Sequence, residues 1–163
     1  MRKNSIKSAR TAFRINQRTV GGVSPRVPSR FFRVRYNGAA HPLANVSGLS
    51  SGANCQRFVF ELLKHFGYEI APMRSSELCE DRTFTQRVLR IRALDILMFN
   101  RDESAWGAHL ALYLGKGRAI HLAKAIGRPV VWEVPDFFAF ERYRVLVAIK
   151  RPIRWRLKIS PAK

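Results

Sequence analysis

Seventeen residues near the middle of the chain, AHLALYLGKGRAIHLAK at 108–124, admit few structures. Two alternating runs are split by Gly115-Lys116-Gly117, the pattern of an antiparallel hairpin closed by a tight turn. A period of two puts His109, Ala111 and Tyr113 on one face and Leu110, Leu112 and Leu114 on the other. On the return strand His121 shares a face with Ala119 and Ala123. A turn of this length sets 111 opposite 121, so His109 and His121 become diagonal neighbours on one surface. The leucine face reads as the buried side, and small residues around the histidines leave room for a helix end or a substrate. Two purely structural histidines are the alternative reading, and it fits less well because the leucines already supply a core.

The second constraint is NCQRFVFELLKHFG, Asn54 to Gly67. Cys55, Phe58, Val59, Leu62, Leu63 and Phe66 form the apolar stripe of a core-facing helix, with Asn54 as N-cap and Gly67 as the left-handed residue that ends it. Cys55 therefore points inward from the first turn. Unpaired N–H groups and the positive end of the helix dipole favour a thiolate there, so a lowered cysteine pKa is expected. A small buried hydrophobe is the plainer role for such a cysteine.

At 163 residues and 47% hydrophobic, with eleven Phe, the chain has material for one domain with a real core. Its net charge of +19 suggests a nucleic-acid binder until the charge is located. Residues 1–35 hold ten Lys/Arg and no acid, residues 150–163 hold six and no acid, and residues 36–149 hold fourteen against eleven. The domain is thus close to neutral, and the basic ends suit contact with a polyanion. The reading divides the chain into a basic flexible extension at 1–30, a domain at 31–150 and a basic tail at 151–163. Cys55 and Cys79 are too few for a disulfide scaffold and fit a reducing compartment. No run has the length of a membrane span or the apolar core of a secretory signal, so the expectation is cytoplasmic; the acid-free start also suits an organelle transit peptide.

In order, Phe31 to Tyr36 alternates as a short strand, and 37–53 is a Gly-, Ser- and Asn-rich loop carrying His41, expected to be solvated. After the cysteine helix, 68–73 reads as extended, and a short helix at Ser76 to Asp81 buries Cys79. Residues 82–92 show no period. Strands follow at 93–100, in the hairpin, at 130–134 and at 143–150, with a loop at Arg101 to Gly107 and a helical turn at 136–141. Helices first and antiparallel strands after make an α+β plan.

A cysteine at a helix start and two neighbouring histidines supply the parts of a Cys–His–His relay: Cys55 to attack a carbonyl, His109 to move its proton, His121 to hold the His109 ring. The same residue types could instead bind zinc with a water. Against metal, the sequence has neither HExxH nor CxxC spacing, and no cofactor is expected.

These residues also carry a resemblance. NCQRFV at 54–59, LDILMF at 94–99, HLALYLGKG at 109–117 and IHLA at 120–123 resemble, in order and spacing, the motifs D-C-S-G-F-V, G-D-L-V-F-F, H-V-G-I-Y-L-G-N-G and I-H-A of the NlpC-type cysteine peptidases, a papain-fold family of bacterial cell-wall amidases. The likeness spans about Tyr36 to Lys150. It implies a papain-like α+β fold with the nucleophile helix packed on an antiparallel sheet, and a thiol hydrolase cutting an amide or peptide bond, a cell-wall stem peptide in that family. Carried over, Cys55 matches the nucleophile, His109 the base and His121 the orienting residue. Tyr36, in RYNGAA, is the candidate hydroxyl of the oxyanion site, while Gln56 and Trp106 are candidates for the substrate cleft. Asn54 stands where the motif has Asp, Gln56-Arg57 where it has Ser-Gly, and Leu94 where it has Gly. The same parts would serve an acyltransferase of this fold, and a non-catalytic polyanion-binding module is the rival from another class.

Overall fold

The computed structural model describes residues 24–153. Its centre is the expected hairpin, strands β3 (His109–Gly115) and β4 (Arg118–Leu122), with Ala111 opposite His121. Four further strands, β1 (Thr85–Arg87), β2 (Ile96–Asn100), β5 (Pro129–Glu133) and β6 (Val145–Pro152), complete one antiparallel sheet in the order β1-β6-β2-β3-β4-β5. Among the described residues three short helices accompany it: α1 (Cys55–His65), α2 (Ser75–Glu80) and α3 (Val134–Phe137). The fold is α+β, as expected. Among the described residues no helix is long and apolar enough to cross a membrane.

Helix α1 forms where its signals lie. The Asn54 side chain accepts the Arg57 N–H at 2.8 Å, and Gly67, at φ +87, turns the chain out so that Tyr68 N–H reaches the Leu63 carbonyl at 3.0 Å. Its stripe of Phe58, Val59, Leu62 and Leu63 is fully buried in one core cluster with Leu110, Leu112, Ile120 and Leu122. The leucine face of the hairpin therefore seats the cysteine helix.

The opposite face is not open, which corrects the expectation of free space beside the histidines. A second core of Leu97, Phe99, Ala111, Tyr113, Phe137 and Tyr143 closes it, brought there by α3 and the 3-10 turn Glu141–Tyr143. Small residues on that face make room for aromatic side chains of this same chain. The sheet is buried on both sides.

Several local expectations change. Residues Ser29–Arg33 form a 3-10 turn and not a strand, because Phe31 N–H closes on the Pro28 carbonyl and Phe31 packs against Phe58 at 6.3 Å. Tyr36 makes only an isolated parallel bridge with Ala53. Residues 68–73 carry no strand. The unassigned stretch after α2 holds β1, whose partner β6 lies more than sixty residues later in sequence. β6 runs past Lys150 because Arg151 grips the Asp95 carboxylate through Nε and Nη2, each at 2.8 Å. At the other end, Arg30 already contacts His65 at 3.1 Å. The basic extension and tail expected at 1–30 and 151–163 otherwise lie outside the described residues.

Candidate active site

The site forms where the N-terminus of α1 meets the start of β3. Cys55 is half-buried in the first turn, with the N–H groups of Leu110, Gln56 and Cys55 itself directed at its sulfur. Leu110 directly follows His109 on β3, so one backbone register brings the thiol to the histidine end of the hairpin. The expectation of a lowered pKa is corrected here. Burial pushes the Cys55 thiol up, and the three N–H groups pull it down by less. Both cysteines are free thiols.

His109 and His121 meet as the alternation required: His109 Nε2 lies 2.9 Å from His121 Nδ1, with the rings nearly perpendicular. That contact occupies Nε2 of His109 and leaves its Nδ1 outside the histidine pair. The His109 ring stacks on Tyr143 at 4.5 Å between centroids. Burial, then the neighbouring His121 and the Arg142 guanidinium, hold His109 well below the ordinary imidazole range. His121 is fully enclosed, and burial brings its pKa down to about 4. Burial thus disfavours the charged form of each of the three groups, the Cys55 thiolate and both imidazolium rings.

Tyr36 is set beside this centre by its bridge to Ala53, two residues before Cys55, and by its N–H to the Gly127 carbonyl at 2.9 Å. Burial and a Cys55 charge both raise its phenol pKa, which marks the two groups as neighbours. Gln56 is buried, its Nε2 donating to the Met73 carbonyl at 2.7 Å, so it ties down the segment before α2. Trp106 is 66% exposed and carries the Arg74 guanidinium over its ring at 5.8 Å. A cleft of about 390 Å³ runs among His41, Leu43, Gln56, Met73, Arg74 and Trp106. His41 edges this cleft and is solvent-exposed, as the sequence suggested.

Other residues at the site were not among the site candidates of the sequence. Arg57, standing in the place of a motif glycine, does not enter the cleft. It is buried, and its guanidinium donates to the carbonyls of Val46 at 2.6 Å, Gly48 at 3.0 Å and His41 at 3.4 Å, pinning the loop that forms one cleft wall. Its signal was its place in the apolar surroundings of α1's first turn, where an arginine needs buried acceptors. Tyr143 and Arg142 come from a 3-10 turn more than thirty residues beyond His109, and no spacing announces them. Among the described residues no group of three or more His, Cys, Asp or Glu is placed to hold a metal ion.

No protein-family model matches the sequence, and no curated protein matches it. Among solved structures, the fold is similar to the peptidoglycan hydrolase RipB of Mycobacterium tuberculosis, at 16% identity and a TM-score of 0.48, over 95% of this chain and 87% of that one. It is likewise similar to an NlpC/P60 family protein of Bacillus cereus, at 21% identity and a TM-score of 0.48 over 64% of this chain, which spans only 32% of that protein's length.

Proposed function

We propose that the chain is a thiol hydrolase that cleaves an amide or peptide bond through an acyl-enzyme. The observation that carries this reading is the contact between His109 Nε2 and His121 Nδ1 at 2.9 Å, made on the strand whose Leu110 N–H, with those of Gln56 and Cys55, favours the thiolate of the cysteine at the helix start. A purely structural pair would have no use for the thiol beside it.

Because burial disfavours both the thiolate and the imidazolium, attack and deprotonation go together. Cys55 Sγ adds to the carbonyl carbon while His109 Nδ1 takes the thiol proton. The oxyanion receives the backbone N–H of Cys55 and the Tyr36 hydroxyl. As the C–N bond breaks, His109 returns the proton to the leaving amine. Water then attacks the thioester with His109 as base, releasing the acid and restoring the thiol. His121 holds the His109 ring, and Gln56 and Trp106 border the substrate. The motif resemblance points to a cell-wall peptide as substrate; an amine or alcohol entering in place of water would make the same site an acyltransferase.

Polyanion contact is a separate proposal. Its described portion is a groove of about 590 Å³ at the end of α1, where Arg30, Arg33, Lys64 and His65 face a single acid, Glu61.

The test of catalysis is single-turnover reaction with p-nitrophenyl acetate, followed by mass spectrometry. One acetyl group should reside on Cys55, persist in Cys79→Ala and vanish in Cys55→Ala. An adduct on Cys79, or none at all, would overturn the reading.

A further inference from the structure

His121 is fully buried, yet its two ring nitrogens have unlike surroundings. Nδ1 meets His109 Nε2, whereas Nε2 is buried and has no hydrogen-bond partner among the described residues. A buried polar atom left without a partner costs about 1–3 kcal/mol. The ring is enclosed by aromatic side chains: Trp132, with centroids 4.3 Å apart and planes at 63°, and Phe137, at 4.7 Å and 56°. Neither ring is free to turn away. Phe140 stacks on Trp132 at 5.0 Å, and Phe99 stacks on Phe137 at 4.5 Å with the planes 3° apart.

A neutral imidazole has one N–H and one bare nitrogen, so the orphaned Nε2 must present either a proton or a lone pair to these neighbours. Aromatic faces are negative and aromatic rims positive. An N–H directed at a face is attracted, and a lone pair in the same place is repelled. At 63° and 56° to the imidazole, neither ring is stacked on it, and such inclinations are compatible with an imidazole edge meeting a ring face.

We propose that Trp132 and Phe137 are positioning residues that hold His121 as the Nε2–H tautomer by accepting that N–H on their faces. The consequence passes along the pair by proton count. With its proton on Nε2, His121 offers Nδ1 only as an acceptor, so the 2.9 Å contact must be donated by His109 Nε2–H. His109 is then bare at Nδ1, the nitrogen left for the thiol. In the other arrangement His121 Nδ1–H would donate, His109 would carry its proton on Nδ1, and the thiol would face no base. The link to Cys55 rests on the functional reading above; the tautomer assignment itself does not.

The experiment is long-range proton–nitrogen correlation on the full-length 15N-labelled protein at neutral pH, paired with acetylation of Cys55 by p-nitrophenyl acetate. Both histidines should show a protonated Nε2 and a bare Nδ1. Trp132→Leu should mix the tautomers of both rings and slow acetylation about fivefold, the bias a contact of this strength supplies. Trp132→Phe, which keeps a ring face, should restore both readouts. Phe137→Leu offers the same comparison from the other wall. A proton on His121 Nδ1 in the wild type overturns the proposal, as do tautomers unchanged in the folded Trp132→Leu and Phe137→Leu proteins. Should the wild type show the expected tautomers but no acetylation, the aromatic control of His121 stands and the hydrolase reading falls.

Discussion

Compare the two faces of the central hairpin. On one, Leu110, Leu112 and Leu114 meet the apolar stripe of α1 in a cluster with no charged side chain. On the other, Ala111, Ala119 and Tyr113 lie under Phe99, Phe137 and Tyr143, with an imidazole pair enclosed among them. Both are buried, and the difference lies in what burial does. Under α1 it stabilises the fold. Around the histidines it also removes charge, taking His121 to about 4 and His109 well below its ordinary range. One face holds the cysteine helix in place, and the other disfavours charge on the histidine pair.

If that division is right, damage to the two faces should be read by different instruments. The largest effect expected is on rate: His109→Asn should slow single-turnover acylation of Cys55 by about 10²–10⁴-fold, the range of a positioned proton acceptor, with a minor change in melting temperature. Full acylation by that variant would remove His109 from the mechanism. Next comes stability on the opposite face. Leu112, fully buried against α1, should cost about 2–5 kcal/mol as Leu112→Ala in urea unfolding, with the acylation rate of the folded fraction nearly unchanged. A rate loss as large as that of His109→Asn would mean that the faces are not separable.

The enclosed histidine gives a third effect, through pH. In the unfolded chain an imidazole takes up its proton near pH 6.5, but in the fold His121 does so only near 4. Between those values the unfolded chain binds more protons, so His121 favours unfolding increasingly as pH falls, by about 3 kcal/mol over the window. His109 acts in the same direction. Measured against His121→Gln, the stability of the wild type should therefore decline as pH drops from 7 to 4. A gap independent of pH would show that His121 titrates normally.

The smallest effect tests the joint between the faces. Leu94 adopts φ +71 where the resembling motif has glycine, and its N–H reaches the Tyr113 carbonyl at 2.7 Å. A left-handed leucine stores about 1–2 kcal/mol. Leu94→Gly loses a half-buried side chain and gains chain entropy but releases that strain, so it should shift stability by less than about 1 kcal/mol. Leu94→Ala keeps the strain and loses the packing, and should be the less stable of the two. The opposite order would mean that the backbone is not strained there.

Period and spacing were enough for the parts that depend on neighbours in sequence. Alternation in a hairpin with a glycine turn fixes which side chains share a face, so the meeting of His109 and His121 is legible in the chain itself. The stripe, the Asn54 cap and Gly67 likewise delimit α1, since each acts within one or two turns of its own backbone. The tertiary structure decided what depends on distant partners. β1 has three residues and no pattern, and exists only because β6 offers it an edge. Arg57 could be placed only once the loop carbonyls of Val46 and Gly48 were seen around it. The direction of the Cys55 pKa is decided in the same way: the helix start is local and visible in the chain, whereas the desolvation that outweighs it comes from elements folded over the site. Trp132 and Phe137 reach His121 from β5 and α3, and no interval along the chain encodes how two rings are inclined to a third.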